Sequence, residues 1–324
     1  MKSILIIACI LFTTVTTLAQ APKTADEFIR RGYARQQKGD VTGALADYTR
    51  AIKLDPKSDR AYFYRGSVRS ANGDHVGAIQ DNTRVIEINP KDGDAYFNRA
   101  VALRGKGDFD AAIADFTKTI ELNPKDASAY HERGMVRRLK GDFDTALEDF
   151  TKAIEIDAKL VGAYVERSGV RADQKDFDGA LADANEAIKL EPRNVGAYHN
   201  LAFALQRKGD IDGMVAAYMK AIELDPKYAP AYNGLAWLWA TSEKDSYRDG
   251  TKALAYARKA VTLTKWKNAG YIDTLAAANA EAGKFTEAVR WQLKALSFPD
   301  FVKSDGEEAR ARLKAYKAHK AYRG

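Results

Sequence analysis

The side chains best suited to chemistry near neutral pH are four histidines, His75, His131, His199 and His319, and one cysteine, Cys9. An imidazole becomes a catalyst or a metal ligand only beside a partner group, so spacing decides what it can do. His131 and His199 fall at the same point of a pattern that recurs every 34 residues. Two such periods of packed helices, at about 10 Å per helix layer, put them about 20 Å apart, too far to share one ion. There is no HExxH pair for zinc, no GxxxxGK[ST] phosphate loop and no GxSxG nucleophile elbow. Asp and Glu are plentiful, but they fall at caps, turns and polar faces. An enzyme needs titratable groups converging at one point, and this linear layout offers none. The sequence therefore predicts a chain without chemistry of its own, without a metal and without a cofactor.

A second set of charged residues is too regular to be a reactive centre. The phrases "AYFYRGSVR", "AYFNRAVAL", "AYHERGMVR" and "AYVERSGVR" begin at Ala61, Ala95, Ala129 and Ala163, each with an arginine in a segment that otherwise reads as core. Arg31, Arg65, Arg99, Arg133 and Arg167 are followed sixteen residues later by Asp47, Asp81, Asp115, Asp149 and Asp183. One period on, both members change together, to Leu201 and Ala217. After that come Leu235 with Tyr256 and Leu275 with Trp291. The covariation predicts ion pairs that hold the frame together, because a planar guanidinium suits a partly buried carboxylate. Spacing alone leaves open whether each pair lies within one period or reaches the next.

The elements that position these residues follow from the same ruler. Pro56, Pro90, Pro124, Pro192 and Pro226 lie on a 34-residue grid, with Ala158 in the vacant slot. Tyr62, Tyr96, Tyr130, Tyr164, Tyr198 and Tyr232 share it, and so do Ala44, Ala78, Ala112, Ala146 and Ala180, with Met214 as the exception. The units run 25–58, 59–92, 93–126, 127–160, 161–194 and 195–228. A seventh, 229–264, carries an insertion at Ser242 to Asp249, and an eighth fits 269–302. Each reads as two helices. The first closes at a Gly-Asp pair such as Gly107-Asp108, where glycine can turn left-handed. The second is expected to start at Thr42, Asp110, Asp144, Asp178, Asp212, Thr251 or Thr286 as N-caps, with Val76 breaking the rule. It ends before the Asp-Pro or Asn-Pro pair, since proline cannot continue the amide ladder. A last helix over 304–322, acidic first and basic later, reads as a cap on the stack.

This order of aromatic, small residue, Gly-Asp, Ala, aromatic, Ala and Pro resembles the tetratricopeptide repeat (TPR) family over residues 25–302. The last two units, with "LAWLWAT", "YRDG" and "YIDTLAAANAEAGKFTEAVRWQ", are similar to a divergent ending of bacterial members. The resemblance implies an all-α solenoid of helix-turn-helix units in a right-handed superhelix, first helices lining an inner, concave surface. Stacking would bury a core that no single unit sustains. It also implies inner positions at Ile29 and Tyr33, Phe63 and Ser67, Phe97 and Val101, His131 and Met135, Val165 and Gly169, His199 and Phe203, and Asn233 and Trp237. Arg104, Arg138 and Arg207 would lie one turn further on. Of these, Tyr33, Phe63, Phe97, Arg104, His131, Met135, Arg138, His199, Phe203, Arg207 and Trp237 are the expected contacts to a peptide with apolar and acidic groups. The family's lysine-bearing clamp for an acidic chaperone tail is unmatched, because Ile29, Phe63, Phe97 and His131 stand there.

Composition fits this picture. The chain has 324 residues, 46% hydrophobic and 29% charged, and carries a net charge of +7. The charge is uneven: residues 93–194 hold 16 basic against 20 acidic side chains, whereas 229–324 hold 17 against 10. That is no continuous basic track, so nucleic acid is not the expected partner. Trp237, Trp239, Trp266 and Trp291 also gather late, where they would seal the end of the stack. Residues 1–19 begin with Lys2, run through apolar Ile4 to Phe12 and end in "TLA". This reads as a signal cleaved after Ala19, followed by a short linker at 20–24, and the run is short for a membrane span. Lipid modification of Cys9 would leave almost no hydrophobic region before the cut. The expectation is a periplasmic or secreted scaffold that binds protein or peptide, with no integral membrane segment after cleavage and with self-association open. The alternative is a structural subunit whose groove is permanently filled.

Overall fold

The computed structural model describes residues 22–323, and these contain α-helices and one 3-10 turn but no strand. The expected signal, its cut after Ala19 and Cys9 lie outside the described residues. One compact unit holds α1 (Ala25–Gln37), α2 (Val41–Leu54), α3 (Asp59–Ala71), α4 (His75–Ile88), α5 (Gly93–Lys106) and α6 (Phe109–Leu122). The other begins with α7 (Ala127–Lys140), α8 (Phe143–Ile156), α9 (Val161–Asp173), α10 (Phe177–Leu190), α11 (Val195–Lys208) and α12 (Ile211–Leu224). It continues through α13 (Ala229–Thr241), α14 (Gly250–Leu263), α15 (Ala269–Glu281), α16 (Phe285–Ala295) and α17 (Pro299–Lys317).

Within each unit the helices pack in chain order, as pairs. The even helix of a pair also packs on the next odd one, as α4 does on α5 and α10 on α11. Successive odd helices touch as well, α1 on α3 and α3 on α5 in the first unit, α9 on α11 and α13 on α15 in the second. The odd helices therefore line one face of each unit. The fold is an all-α solenoid.

The alanine grid explains the close pairing. Ala44, Ala78, Ala112, Ala146 and Ala180, and Met214 after them, have no exposed surface. One turn later Tyr48, Phe116 and Phe150 are fully buried beside them. Gly134 makes room for such a ring: a Cβ there would stand 2.8 Å from the Phe150 ring. Leaving out the side chain lets the paired helices reach van der Waals contact over the aromatic.

Helix ends depart from expectation in an instructive way. The second helix of a pair is capped not by Thr42, Asp144, Asp178, Asp212 or Thr251 but two residues earlier. Asp40, Asp74, Asp176, Asp210 and Asp249 accept the backbone N–H three residues on. Asp142 holds the same place without a side-chain bond, and Lys284, not Thr286, precedes α16. Val76 thus breaks no rule, because Asp74 caps its helix. In the first four pairs and the sixth, the Gly-Asp dipeptide serves both helices. The glycine closes the first in left-handed geometry, φ +86° at Gly141, and the aspartate opens the second. Lys175 takes this left-handed place at φ +67°, a strained position for a residue with a Cβ.

The C-terminal helix runs from Pro299 rather than Ser304 and stops at Lys317 rather than Tyr322. Proline is tolerated in the first turn, where its missing N–H would have had no partner. The insertion at 242–249 folds as the 3-10 turn Asp245–Tyr247. Arg248 secures it by donating to the Ser242 and Glu243 carbonyls at 3.0 Å each.

Candidate recognition surface

Each framework arginine is a two-pronged bond to the aspartate of its own pair. Arg65 Nε and Nη2 donate to Asp81 Oδ2 and Oδ1 at 2.9 and 2.7 Å. Arg167 does the same to Asp183 at 2.9 and 2.7 Å. Arg31 reaches Asp47 at 2.8 and 2.6 Å, Arg99 reaches Asp115 at 2.6 and 2.8 Å, and Arg133 reaches Asp149 at 3.0 and 2.7 Å. The aspartates are buried, the arginines only partly. Bonding to the carboxylate raises the pKa of Arg31 and of Arg99 above the usual arginine value.

Two further contacts make the arginine a three-way joint. Its guanidinium lies 5.2–5.8 Å from the ring three residues before it, Phe28, Tyr62, Tyr96, Tyr130 or Tyr164. Its third nitrogen reaches the preceding pair: Arg65 to Thr49 Oγ1 at 3.1 Å, Arg99 to Thr83 at 3.2 Å and Arg167 to Thr151 at 3.0 Å. A second arginine, one turn later, shares the aspartate. Arg35, Arg69, Arg137 and Arg171 donate to Oδ2 at 2.8–3.0 Å and also to a carbonyl near the start of the second helix. In the third pair Leu103 takes that place.

Four stretches of the chain match family models. Residues 32–73 match one described as a TPR repeat, and 93–126, 116–148 and 195–228 match models described as tetratricopeptide repeat. These are tetratricopeptide repeats. No curated protein matches the chain. Among solved structures, a tetratricopeptide repeat protein from Parabacteroides merdae is 18% identical with a TM-score of 0.54, over 90% of this chain and 98% of its own. The structure from a study of Pseudomonas aeruginosa pilF is 15% identical with a TM-score of 0.58, over 65% of this chain and 96% of its own. Similarity at these identities speaks for the fold alone.

The first helices of the pairs present the expected contact residues unevenly. In the first unit Tyr33 is 47% exposed, while Phe63, Phe97 and Arg104 are partly buried. Tyr33 leans on Tyr64 at 5.8 Å and Phe97 meets Phe116 edge-on at 5.4 Å. In the second unit His131, Met135, His199, Phe203 and Trp237 are partly buried, and Arg138 and Arg207 are exposed. His131 leans on Phe150 at 5.9 Å, and Phe203 packs on the cluster of Ala172, Ala180 and Ala204. Ile29 is 2% exposed and belongs to the core. Arg138 pairs with Glu166 of the next repeat, and Arg207 lies 5.6 Å from the Phe177 ring of the previous one. Both cations therefore already have company within the chain.

Trp237 is covered by the chain itself. Arg312 of α17 lies 5.5 Å from its ring and 5.5 Å from Tyr322, which stands 6.2 Å from Trp237. Arg312 Nε donates to Asp273 Oδ1 at 3.1 Å, and Nη2 stands 3.0 Å from Oδ2, with both side chains almost fully buried. Gln292 Nε2 donates to the same Asp273 oxygen. Along α15 every residue from Ile272 to Ala280 is buried, and the partly open part is its first turn, at Gly270 and Tyr271. Of the two readings of Trp237 in the sequence, sealing and ligand contact, the structure shows the sealing one, and no spacing in the sequence pointed to Arg312 and Asp273 as a pair.

His199 sits between Tyr218 and Tyr228, each 5.8 Å away, and its buried Nδ1 has no hydrogen-bond partner among the described residues. Burial lowers its pKa below the usual 6.5, so the folded form holds a neutral imidazole. The unfolded chain binds the proton more readily just below pH 6.5. The contribution to stability is therefore complete above that value and is lost as pH falls through the folded pKa. The urea midpoint is expected to drop on acidification through this window, and His199→Asn, the residue at the matching Asn233, is expected to flatten the drop. An unchanged slope in the variant would assign the effect to other groups.

Proposed function

We propose that this chain is a non-catalytic scaffold that holds a protein or peptide segment along the face of its TPR first helices. One observation carries the reading: large apolar side chains stand partly exposed at two positions of the first helices. Phe63 and Phe97 share the earlier position on neighbouring helices of the first unit, and the position four residues later holds Tyr33 in the first unit and Met135 and Phe203 in the second. The three-way arginine joints hold these helices in register, so the surface needs little ordering on contact. A ligand with apolar anchors and acidic groups suits it, because the weak surface pair at Arg138 can be exchanged for a ligand carboxylate. The composition of residues 1–19 supports action in the periplasm or outside the cell.

A second reading, a groove filled permanently, draws support from α17 over Trp237 and α15. Affinity capture from the native envelope, comparing wild type with Phe63→Ala/Phe97→Ala, tests the first reading. Specific partners should fall away with the folded double variant. Recovery of the same partners from both forms argues against the face, and a mass that rises with concentration favours self-filling.

A further inference from the structure

The recess between α13, α15 and α17 has a chemistry of its own. Its volume is about 390 Å³, and Trp237, Tyr271 and Phe301 contribute aromatic walls. Asp305 and Glu308, three residues apart on α17, contribute carboxylates on the same side of that helix. Asn233 lines it too.

Charge decides what such a recess takes. Arg312 and Asp273 also line it, but they neutralise each other through their own ion pair. Glu308 stands 3.5 Å from Arg312 Nη1, at the edge of hydrogen-bonding range, and Asp305 bonds only its neighbour Ser304 among the described residues. With three carboxylates, Asp273, Asp305 and Glu308, against the single cation Arg312, the lining keeps an excess of negative charge beside its three aromatic rings. Aromatic walls and carboxylates both attract a positive charge. The same wall already shows the mode within the chain, where the Arg312 guanidinium lies against both the Trp237 and Tyr322 rings and pairs with a carboxylate. No three carboxylate, histidine or cysteine side chains among the described residues are grouped to hold a metal ion.

We propose that this recess binds an organic cation, the ammonium or guanidinium group of a basic side chain or a small amine. The site is distinct from the Phe63 and Phe97 surface and does not depend on the ligand proposed there.

Calorimetry and saturation-transfer NMR on the whole protein test it, with N-acetyl-arginine amide, N-acetyl-lysine amide and tetramethylammonium as probes. The neutral N-acetyl-norleucine amide is the control. The cations should bind saturably, and the control at least about tenfold more weakly. Asp305→Asn/Glu308→Gln should weaken the cations about tenfold without lowering the melting temperature, since both side chains are exposed. Phe63→Ala/Phe97→Ala should leave them unchanged. Preference for the amino-acid amides assigns the site to a polypeptide's basic side chain, and preference for tetramethylammonium assigns it to a free amine. Absence of saturable binding, equal binding of the norleucine amide, or undiminished binding by the carboxylate variant overturns the proposal.

Discussion

Asp183→Leu is expected to destabilise its repeat by about 3–5 kcal/mol, far more than Arg167→Leu, although the two residues form one ion pair. Asp183 is 3% exposed and receives Arg167 on both oxygens and Arg171 on one. Removing it leaves Arg167 without a carboxylate at a desolvated joint, while Arg171 keeps only the Gly179 carbonyl and the exposed Asp176. Removing Arg167 leaves the carboxylate with Arg171, so the loss should be nearer 1.5–3 kcal/mol, about that of charged hydrogen bonds. The third repeat gives the control. The Asp115 carboxylate bonds Arg99 alone among the described side chains, since Leu103 stands where the second arginine would be. There Arg99→Leu should cost about as much as Asp183→Leu, about 3–5 kcal/mol. Urea unfolding of the three variants checks the order, and a double-mutant cycle with Arg167→Leu isolates the coupling. Equal losses for Asp183→Leu and Arg167→Leu would remove the shared-carboxylate account. Natural repeats already contain the double replacement, at Leu201 and Ala217.

Arg312→Leu is expected to have a comparable effect, about 3–5 kcal/mol, because it leaves Asp273 buried without a cation. Burial already raises the Asp273 pKa, chiefly by desolvation, and the Arg312 contact opposes the rise. Without Arg312 the folded pKa climbs further. A group with a raised folded pKa is fully compatible with the fold below its unfolded value, 3.8, and loses stability as pH rises through the folded one. The deficit of Arg312→Leu should therefore shrink on acidification and vanish in Arg312→Leu/Asp273→Leu. Hydrogen exchange should localise it: amides of Ile272 to Ala280 gain exchange when α17 lifts, while α9 to α11 stay protected. Loss of protection spread evenly over the second unit would mean that α17 is no separate clasp.

The frame was more legible than the site. A 34-residue period survives in Pro, Tyr and Ala because sterics or backbone chemistry narrows the choice at each place, with Ala158 and Met214 as departures, and so helix pairs could be read directly. The cap positions misled by two residues, since Thr42 and Asp144 are good caps by type while Asp40 and Asp142 hold the positions. The second arginines, Arg35, Arg69, Arg137 and Arg171, recur twelve residues before the same aspartates, a signal present in the sequence but masked by the stronger sixteen-residue spacing. Arg312 with Asp273 had no such trace. A contact made once, across thirty-nine residues and between unlike helices, leaves no period to detect. Exposure along the inner face was equally hidden, because helical phase tells which way Phe203 points and not which alanines come up to meet it.

The threonine contact of the arginine joint bears on how such a chain can grow. Arg65 grips Thr49 behind it as Arg167 grips Thr151, with the same atoms and nearly the same lengths. A seam that is chemically alike wherever it occurs carries no address. Copies of a module can be added or dropped between such seams while the hydrophobic filling stays as it is, which leaves the extent of the binding face free to vary by whole increments.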